Sequence, residues 1–292
     1  MCGIFGIVFD EERKDLGEIL IKAALKLTYR GYDSVGCASI DNEGRIDLRK
    51  DVGKVEEVMQ RLSLRDMKGK KGIVQLRWAT FGRPSKNNAQ PHFDCDGDLI
   101  GAHNGNVVNT TQLIKELTKE GHKFKGENDG EVVVHVVEKL FDETGDMEKA
   151  IRLAKGVLKG DYAYVITKDK EPLMYTVKMG SSLYLGEGEG FICCSSDLPS
   201  ILQFTKKILP IYDNEYVVFS SNTYTLKSID TGEEIKRLPE ISNLTPEDAE
   251  KGQFSHFMIK EIKEQPDRAK ALIDYLTYSG ETLDFVSKLE DS

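Results

Sequence analysis

The chain begins Met1-Cys2-Gly3-Ile4-Phe5-Gly6-Ile7-Val8, and this stretch predicts both how the chain starts to fold and where its chemistry lies. Its large apolar residues predict a strand that anchors the terminus in a core. Removal of Met1 would leave Cys2 with a thiol and a free α-amine. A thiol pKa of about 8.5 and an α-amine pKa of about 7.7–8.0 allow the amine to take the thiol proton near neutrality. The stretch therefore predicts an N-terminal cysteine nucleophile, and the alternative is a cysteine without a catalytic role.

Charge and length narrow the classes of protein to consider. The 292 residues include 49 acidic and 40 basic side chains, for a net charge of −9. No block of lysine or arginine is present that could follow a phosphate backbone, so we expect no nucleic-acid partner. The length suffices for one large domain, or for one domain with an appendage.

The cysteines and the apolar runs indicate the compartment. The five cysteines contain no CxxC pair, and Cys193-Cys194 lies in an apolar run that predicts a buried strand. Reduced thiols are expected, and we expect neither a metal site nor a disulfide framework. No leader-like segment and no stretch of about 18 apolar residues is present, which predicts a cytoplasmic protein without a membrane partner.

The order of predicted elements favours an α+β fold over a regular βαβ series. The predicted elements are, in chain order, a helix from Leu16 to about Arg30, strands at 72–76 and 99–103, helices at 111–120, 131–141 and 147–158, a strand at 162–167, and a hairpin of 216–219 with 223–228. We expect a main domain at 1–240. Residues 241–292 are expected to form a helical C-terminal linker or docking segment, with Thr245-Pro246 as a helix start.

Several short motifs occur together in this chain. They are Met1-Cys2-Gly3-Ile4, Tyr29-Arg30-Gly31-Tyr32-Asp33-Ser34, Arg77-Trp78-Ala79-Thr80, His103-Asn104-Gly105, and Asp129 before Glu131-Val132. In this order and at these spacings the chain resembles the class II glutamine amidotransferases, which are N-terminal nucleophile hydrolases. It most closely resembles the glutaminase domains of the glutamine:fructose-6-phosphate amidotransferases. The resemblance implies a four-layer α/β/β/α sandwich.

Asn104 and Gly105 are the candidate oxyanion hole. Attack of the Cys2 thiolate on an amide carbonyl creates an oxyanion, and one pre-placed donor is worth about 3–4 kcal/mol in the transition state. The Asn104 side-chain amide and the Gly105 backbone N–H suit this task and match the residues that the family uses. In isolation, Asn-Gly would instead predict a hairpin turn.

The resemblance also implies how glutamine is held. Arg77 offers a bidentate fork for the α-carboxylate, and Asp129 offers a counter-charge for the α-ammonium group. Trp78 and Thr80 fall in a loop that closes over glutamine in the family. Without the resemblance, a surface ion pair, a helix cap and ordinary core packing would explain Arg77, Asp129 and Trp78.

Other residues have supporting or structural roles in this interpretation. Arg30 and Gly31 are expected to brace the Cys2 terminus without contacting substrate, although Arg30 could form a structural salt bridge. The chain departs from the family at Phe81 and Gln90, where histidines are usual, and both departures affect the expected lid. Structural roles are expected for four histidines, and a hairpin turn for Gly186-Glu187-Gly188-Glu189-Gly190. The four histidines are His92, His103, His122 and His135.

The expected function is a glutamine amidohydrolase that releases ammonia through a cysteinyl thioester, without a metal or organic cofactor. Fructose 6-phosphate is the expected acceptor, at a sugar-isomerase domain or subunit, and a homo-oligomer is possible. We expect a separate subunit, with a shortened piece of a longer protein as the alternative. Two other functions stay open: the glutaminase part of a phosphoribosyl-type amidotransferase, and a non-catalytic glutamine-sensing subunit. The two replaced histidines, at Phe81 and Gln90, favour the glutamine-sensing subunit.

Overall fold

The computed structural model describes residues 2–244, 254 and 257–278. Contacts along the chain divide it into two units, Met1–Pro246 and Glu247–Ser292. In the second unit the described structure is a helix, Phe257–Tyr278, and the helix start predicted at Thr245-Pro246 lies outside the described residues. Among the described helices, none combines the length and the apolar character needed to cross a membrane. The domain boundary near residue 240 stays a prediction.

Fourteen strands and six helices make up the described part of the first unit. The strands are β1 (Gly3–Arg13), β2 (Ser34–Ile40), β3 (Ile46–Val52), β4 (Gly69–Arg77), β5 (His92–Phe93), β6 (Leu99–Val107), β7 (Gly160–Lys168), β8 (Met174–Met179), β9 (Tyr184–Gly188), β10 (Phe191–Ser195), β11 (Lys207–Pro210), β12 (Glu215–Phe219), β13 (Tyr224–Ser228) and β14 (Glu240–Ile241). The helices are α1 (Leu16–Lys26), α2 (Val55–Arg61), α3 (Thr110–Lys119), α4 (Asp129–Thr144), α5 (Met147–Val157) and α6 (Leu198–Leu202); the helix of the second unit is α7.

The strands form two sheets in which the described pairings are antiparallel. The larger sheet has eight strands in the order β14-β11-β9-β10-β1-β4-β2-β3, and the smaller has six in the order β13-β12-β8-β7-β6-β5. One apolar cluster joins α1, α2 and α6 to the large sheet, and a second joins α3, α4 and α5 to the small sheet. A third cluster fills the space between the sheets. The fold is the predicted α/β/β/α sandwich.

The surroundings of strand β1 explain why its first residues are apolar on both faces. Phe5 and Ile7 belong to the cluster beneath the helices, whereas Ile4 and Val8 belong to the cluster between the sheets. Successive side chains of a strand point to opposite faces, and both faces of β1 are covered. The chain terminus is therefore held at the centre of the large sheet.

The predicted elements are present, and one boundary matters for the site. Helix α1 ends at Lys26, four residues before the predicted end, and the hairpin of β12 with β13 and the turn between β9 and β10 are confirmed. Strand β6 continues to Val107, so Asn104 and Gly105 lie inside a strand and pair with β7. The hairpin-turn alternative for Asn104-Gly105 is therefore wrong.

Candidate active site

Cys2 lies directly before β1 and faces the end of β4. The backbone N–H of Trp78 donates to Cys2 Sγ at 3.3 Å, and the Trp78 carbonyl oxygen is 3.5 Å from the same sulfur. Burial raises the pKa of the Cys2 thiol, the Trp78 hydrogen bond opposes this shift, and the Asp129 carboxylate adds to it. At neutral pH the thiol is therefore protonated, and its attack on a carbonyl requires a base.

The terminus is fixed by the residues that were expected to brace it. Arg30 Nε donates to the Cys2 carbonyl oxygen at 3.0 Å, and the same guanidinium lies 3.3 Å from Asp197 Oδ2. A Cβ on Gly31 would stand 2.7 Å from the Arg77 carbonyl carbon, so only glycine fits against the end of β4. Ser196 Oγ accepts a hydrogen bond from Ile4 N at 2.7 Å. These contacts set the direction in which Cys2 leaves the sheet.

Asn104 is buried, with 2 % of its surface exposed, and its side chain has an unusual environment. Neither Nδ2 nor Oδ1 of Asn104 has a hydrogen-bond partner among the described residues. A buried amide without partners costs about 1–3 kcal/mol. A catalytic or ligand-binding role is one of the explanations for a buried polar group without a protein partner.

Gly105 follows with a φ of 115°, in the region that favours glycine. A Cβ at this position would stand 2.0 Å from the Asp161 carbonyl oxygen on the neighbouring strand β7. Strand β7 begins Gly160-Asp161-Tyr162-Ala163, and Tyr162 is the register partner of Gly105. Both the torsion angle and the close approach of β7 therefore require glycine at this position.

Arg77, the last residue of β4, is buried and already has protein partners. Its guanidinium donates to the carbonyl oxygens of Phe81 and Gly82, and the distance to Gly82 is 3.0 Å. Burial lowers the pKa of Arg77, and the neighbouring Cys2 and Asp129 oppose this shift. The guanidinium thus lies near the nucleophile and holds the loop that follows β4. A carboxylate would have to share or replace the bonds to the loop.

Trp78 and Thr80 lie in this loop, between β4 and β5, and both are exposed. The Trp78 ring contacts that of Tyr32 with a centroid distance of 5.3 Å. Asp33 Oδ2 accepts from Ala79 N at 2.8 Å. The Tyr29–Ser34 motif therefore supports the loop that carries Trp78.

Asp129 is buried at the first turn of α4, beside the strand that carries Asn104. Its Oδ2 accepts from Val107 N at 3.2 Å, and its Oδ1 lies 3.8 Å from His103 Nδ1. The N-cap of α4 is Asn128, whose side chain accepts from Gly130 N. The helix-cap alternative for Asp129 is therefore wrong, and its carboxylate lies near Cys2 and Arg77, on whose pKa values it acts.

Two residues support the site in a way that sequence reasoning did not predict: Gln75, and Gln90, which was expected to affect the lid but whose side chain bonds His103 on β6. Gln90 Oε1 accepts from His103 N at 2.7 Å, and Gln90 Nε2 donates to His103 O at 3.0 Å. Gln75 Nε2, on β4, also reaches His103 O, at 3.4 Å. The signal for Gln75 in the sequence is its place between the apolar residues Val74 and Leu76, since an amide buried in a strand needs partners. Both side chains hold the residue before Asn104.

The geometry can be compared with known proteins. Residues 76–203 match the family described as "Glutamine amidotransferase domain". The glutamine–fructose-6-phosphate aminotransferase [isomerizing] of Thermococcus kodakarensis is 38% identical over 274 residues, which are 94% of this chain and 45% of that protein. The protein of the same name from Aquifex aeolicus is 40% identical over an alignment of 294 positions, which covers 100% of this chain and 48% of that protein.

A solved structure gives the same result for the fold. The glutamine phosphoribosylpyrophosphate amidotransferase of B. subtilis superposes with a TM-score of 0.67 and 26% identity, covering 79% of this chain and 50% of that one. The chain spans about half the length of the curated relatives it matches, 45% and 48% for the two above.

Proposed function

Because the chain contains a class II glutamine amidotransferase domain, we propose that Cys2 attacks the side-chain amide of glutamine and that ammonia is released. The observation that carries this assignment of residues is the buried Asn104 amide, whose polar atoms have no partner among the described residues. Asn104 lies on β6, the strand that also holds Gly105. Asp129 contacts the same strand by accepting a hydrogen bond from Val107 N. An oxyanion and a substrate ammonium are the groups that these residues would stabilise.

In the proposed reaction, removal of Met1 frees the Cys2 α-amine, which takes the thiol proton. The sulfur bonds to the amide carbon, and Asn104 Nδ2 and the Gly105 N–H donate to the oxyanion. The amine returns a proton to the leaving nitrogen, so ammonia departs and a glutamyl thioester remains. Water then cleaves the carbon–sulfur bond to give glutamate and the free thiol. Desolvation raises the pKa of the Cys2 thiol, so an adjacent base is needed to remove its proton.

We propose that glutamine is positioned by two charged residues. Arg77 binds the α-carboxylate and Asp129 the α-ammonium group, which leaves the side-chain amide to face Cys2. Arg77 now donates to the carbonyl oxygens of Phe81 and Gly82. Glutamine binding would therefore exchange some of these bonds and alter the loop that carries Trp78 and Thr80.

Measurement of glutamate release from glutamine tests this assignment. Cys2→Ala should abolish release, and Asn104→Ala should lower kcat by about 10²–10³-fold, the usual effect of losing one oxyanion donor. Asn106→Ala, an exposed asparagine on the same strand, is the matched control and should retain activity. Equal release by Asn104→Ala and the unmodified protein would contradict the role of Asn104.

For the acceptor, we propose fructose 6-phosphate, bound at a sugar-phosphate site outside the residues of this chain. The relatives that bear this substrate in their names are 38% and 40% identical to nearly the whole chain. The phosphoribosylpyrophosphate amidotransferase is 26% identical. In the protein that holds both this chain and its acceptor site, fructose 6-phosphate should stimulate glutamate release. Stimulation by phosphoribosyl pyrophosphate instead would assign the chain to the phosphoribosyl type.

The contacts of Arg77 are also compatible with a second candidate, a non-catalytic glutamine sensor. The Arg77 guanidinium is held by loop carbonyls, an arrangement that a bound glutamine could exchange without any chemistry. Glutamine binding with equal background glutamate release from the unmodified protein and Cys2→Ala would establish the sensor and remove the enzyme. We expect release only when Cys2 is present.

A further inference from the structure

Four side chains of metal-binding types meet away from Cys2, at a place where three segments converge. Cys95 lies in the turn after β5, His122 follows α3, and His135 and Glu138 lie one turn apart on α4. One donor atom of each side chain lies within 4.8 Å of the others. Sequence reasoning assigned structural roles to both histidines, because the four residues are too far apart in the chain to form a recognisable metal motif.

The distances between donors are close to those of a tetrahedral zinc site. Cys95 Sγ lies 3.6 Å from His122 Nδ1 and 3.7 Å from His135 Nδ1. Zinc bonds of about 2.3 Å to sulfur and about 2.0–2.1 Å to nitrogen place such atoms roughly 3.5 Å apart. Glu138 Oε2 lies 2.8 and 2.7 Å from the two Nδ1 atoms, so the carboxylate would retreat by about half an ångström on binding.

The surroundings hold these donors in place. Cys95 N donates to Glu138 Oε1 at 2.8 Å, and Lys123 N donates to Cys95 Sγ at 3.4 Å. His135 is buried, and its Nε2 has no hydrogen-bond partner among the described residues but lies 4.0 Å from Glu131 Oε1. A proton on Nε2, facing this carboxylate, would leave Nδ1 free to bind a metal. Cys95 is exposed, which gives an ion access from solvent.

We propose that Cys95, His122, His135 and Glu138 bind one Zn²⁺ ion. One sulfur, two imidazole nitrogens and one carboxylate oxygen are a donor set that suits zinc and not magnesium or calcium. Four protein ligands leave no open position, so the site is structural and not catalytic. Binding releases the thiol proton of Cys95 as the zinc–sulfur bond forms, and the histidines bind as neutral imidazoles.

The ion would join the segments on which the proposed ammonium site depends. Helix α4 begins at Asp129, and His135 lies six residues further along the same helix, about 9 Å at the α-helical rise. The ion would thus fix the body of α4 to the turn after β5 and to the chain that follows α3. Its expected effect is on stability, with the chemistry at Cys2 left unchanged.

The experiment uses the full chain with Cys2→Ala, which removes the other accessible thiol. After treatment with a chelator, the protein is titrated with Zn²⁺ and separately with Co²⁺. We expect one ion per chain, a thiolate-to-cobalt band in the near ultraviolet, and a higher unfolding temperature with Zn²⁺. Adding Cys95→Ser should remove the band and weaken binding by roughly a hundredfold or more.

A matched pair of variants on α4 separates ligation from a change of charge. Glu138→Gln should weaken zinc binding, whereas Glu143→Gln, an exposed glutamate on the same helix, should not. Cys95 is exposed, so its serine variant is expected to fold. Substoichiometric binding by the Cys2→Ala protein, or binding that Cys95→Ser leaves unchanged, would overturn the proposal and leave a hydrogen-bonded cluster centred on Glu138.

Discussion

At the scale of single residues, Gly105 shows how one position serves both the fold and the chemistry. Its φ of 115° is open to glycine at little cost, and the neighbouring Asp161 carbonyl oxygen leaves no room for a Cβ. The two constraints are distinct, because the first concerns the torsion angle and the second the close approach of β7. Both act on the N–H proposed to bind the oxyanion.

Gly105→Ala should therefore destabilise the protein by several kcal/mol, since strain at an unfavourable φ alone costs about 1–3 kcal/mol and the clash with β7 adds to it. Glutamate release should also fall. Gly121→Ala is the matched control, because Gly121 has a φ of 106° and nothing within 4 Å of an added Cβ. Chemical denaturation measures the stability of both variants. A Gly121→Ala protein as destabilised as Gly105→Ala would show that strain, and not the approach of β7, dominates.

At the scale of elements, the short strand β5 leaves part of one edge of β6 without a strand partner, and Gln90 fills the gap. His92 pairs with Gly101, so the same register continued by two residues would set Gln90 opposite His103. The Gln90 side chain, instead of its backbone, bonds both the N–H and the C=O of His103. A primary amide can do this because it has one acceptor and one donor side, like a peptide group. The departure from histidine at this position thus supports β6.

Gln90→Ala should cost about 2 kcal/mol of stability, because it leaves the buried N–H of His103 unpaired and its C=O with only the 3.4 Å bond from Gln75. It should also lower kcat by about tenfold or more, since Asn104 is the next residue and small displacements of a catalytic group are costly. Activity is measured well below the unfolding temperature, so that loss of folded protein does not contribute.

Gln112→Ala is the control for this change, because Gln112 makes an exposed hydrogen bond on α3. It should change stability by no more than about 0.5 kcal/mol. Full activity in a destabilised Gln90→Ala protein would assign Gln90 to folding alone.

At the scale of the whole molecule, Lys71 joins the two sheets. It lies on β4 of the large sheet, is buried, and its Nζ donates to Thr167 Oγ1 on β7 of the small sheet at 2.9 Å. It also donates to the carbonyl oxygens of Lys168 and Glu171. Burial lowers the pKa of Lys71 to about 8. The charged form is thus costly in the folded protein despite three acceptors.

This pKa predicts how stability depends on pH. Between about pH 8 and the ordinary lysine pKa near 10.4, the unfolded chain binds more protons at this position than the folded one, so the free energy of unfolding rises with pH. The stability gained by releasing the Lys71 proton is lost as the pH falls through 8. From pH 7 to 9.5, the unmodified protein should gain on the order of 2 kcal/mol relative to Lys71→Met.

Denaturant unfolding at several pH values checks this, with Lys70→Met, the preceding residue of β4, as the control for loss of a lysine. A constant difference between the unmodified protein and Lys71→Met across this range would mean that Lys71 keeps an ordinary pKa.

The sequence by itself determined the local elements and most of the candidate site. The apolar run after Cys2, the hairpin of β12 with β13 and the turn at Glu189-Gly190 follow from side-chain periodicity and turn chemistry, which act within a few residues. The predicted turn at 186–190 was too long, because residues 186–188 belong to β9. The motifs also named Cys2, Arg77, Asn104 and Asp129, whose assigned roles stay predictions. Local patterns suffice where the physical cause is itself local.

The tertiary structure alone decided which distant residues meet. The pairing of β6 with β7 brings the Asp161 carbonyl oxygen to Gly105, the segment before β5 brings Gln90 to His103, and the packing of α4 brings His135 to Cys95. It also shows that the Arg77 guanidinium is held by the loop after β4. These contacts depend on how strands and helices from separate parts of the chain align. No spacing in the sequence encodes that alignment, because it results from packing the cores on both sides of each sheet.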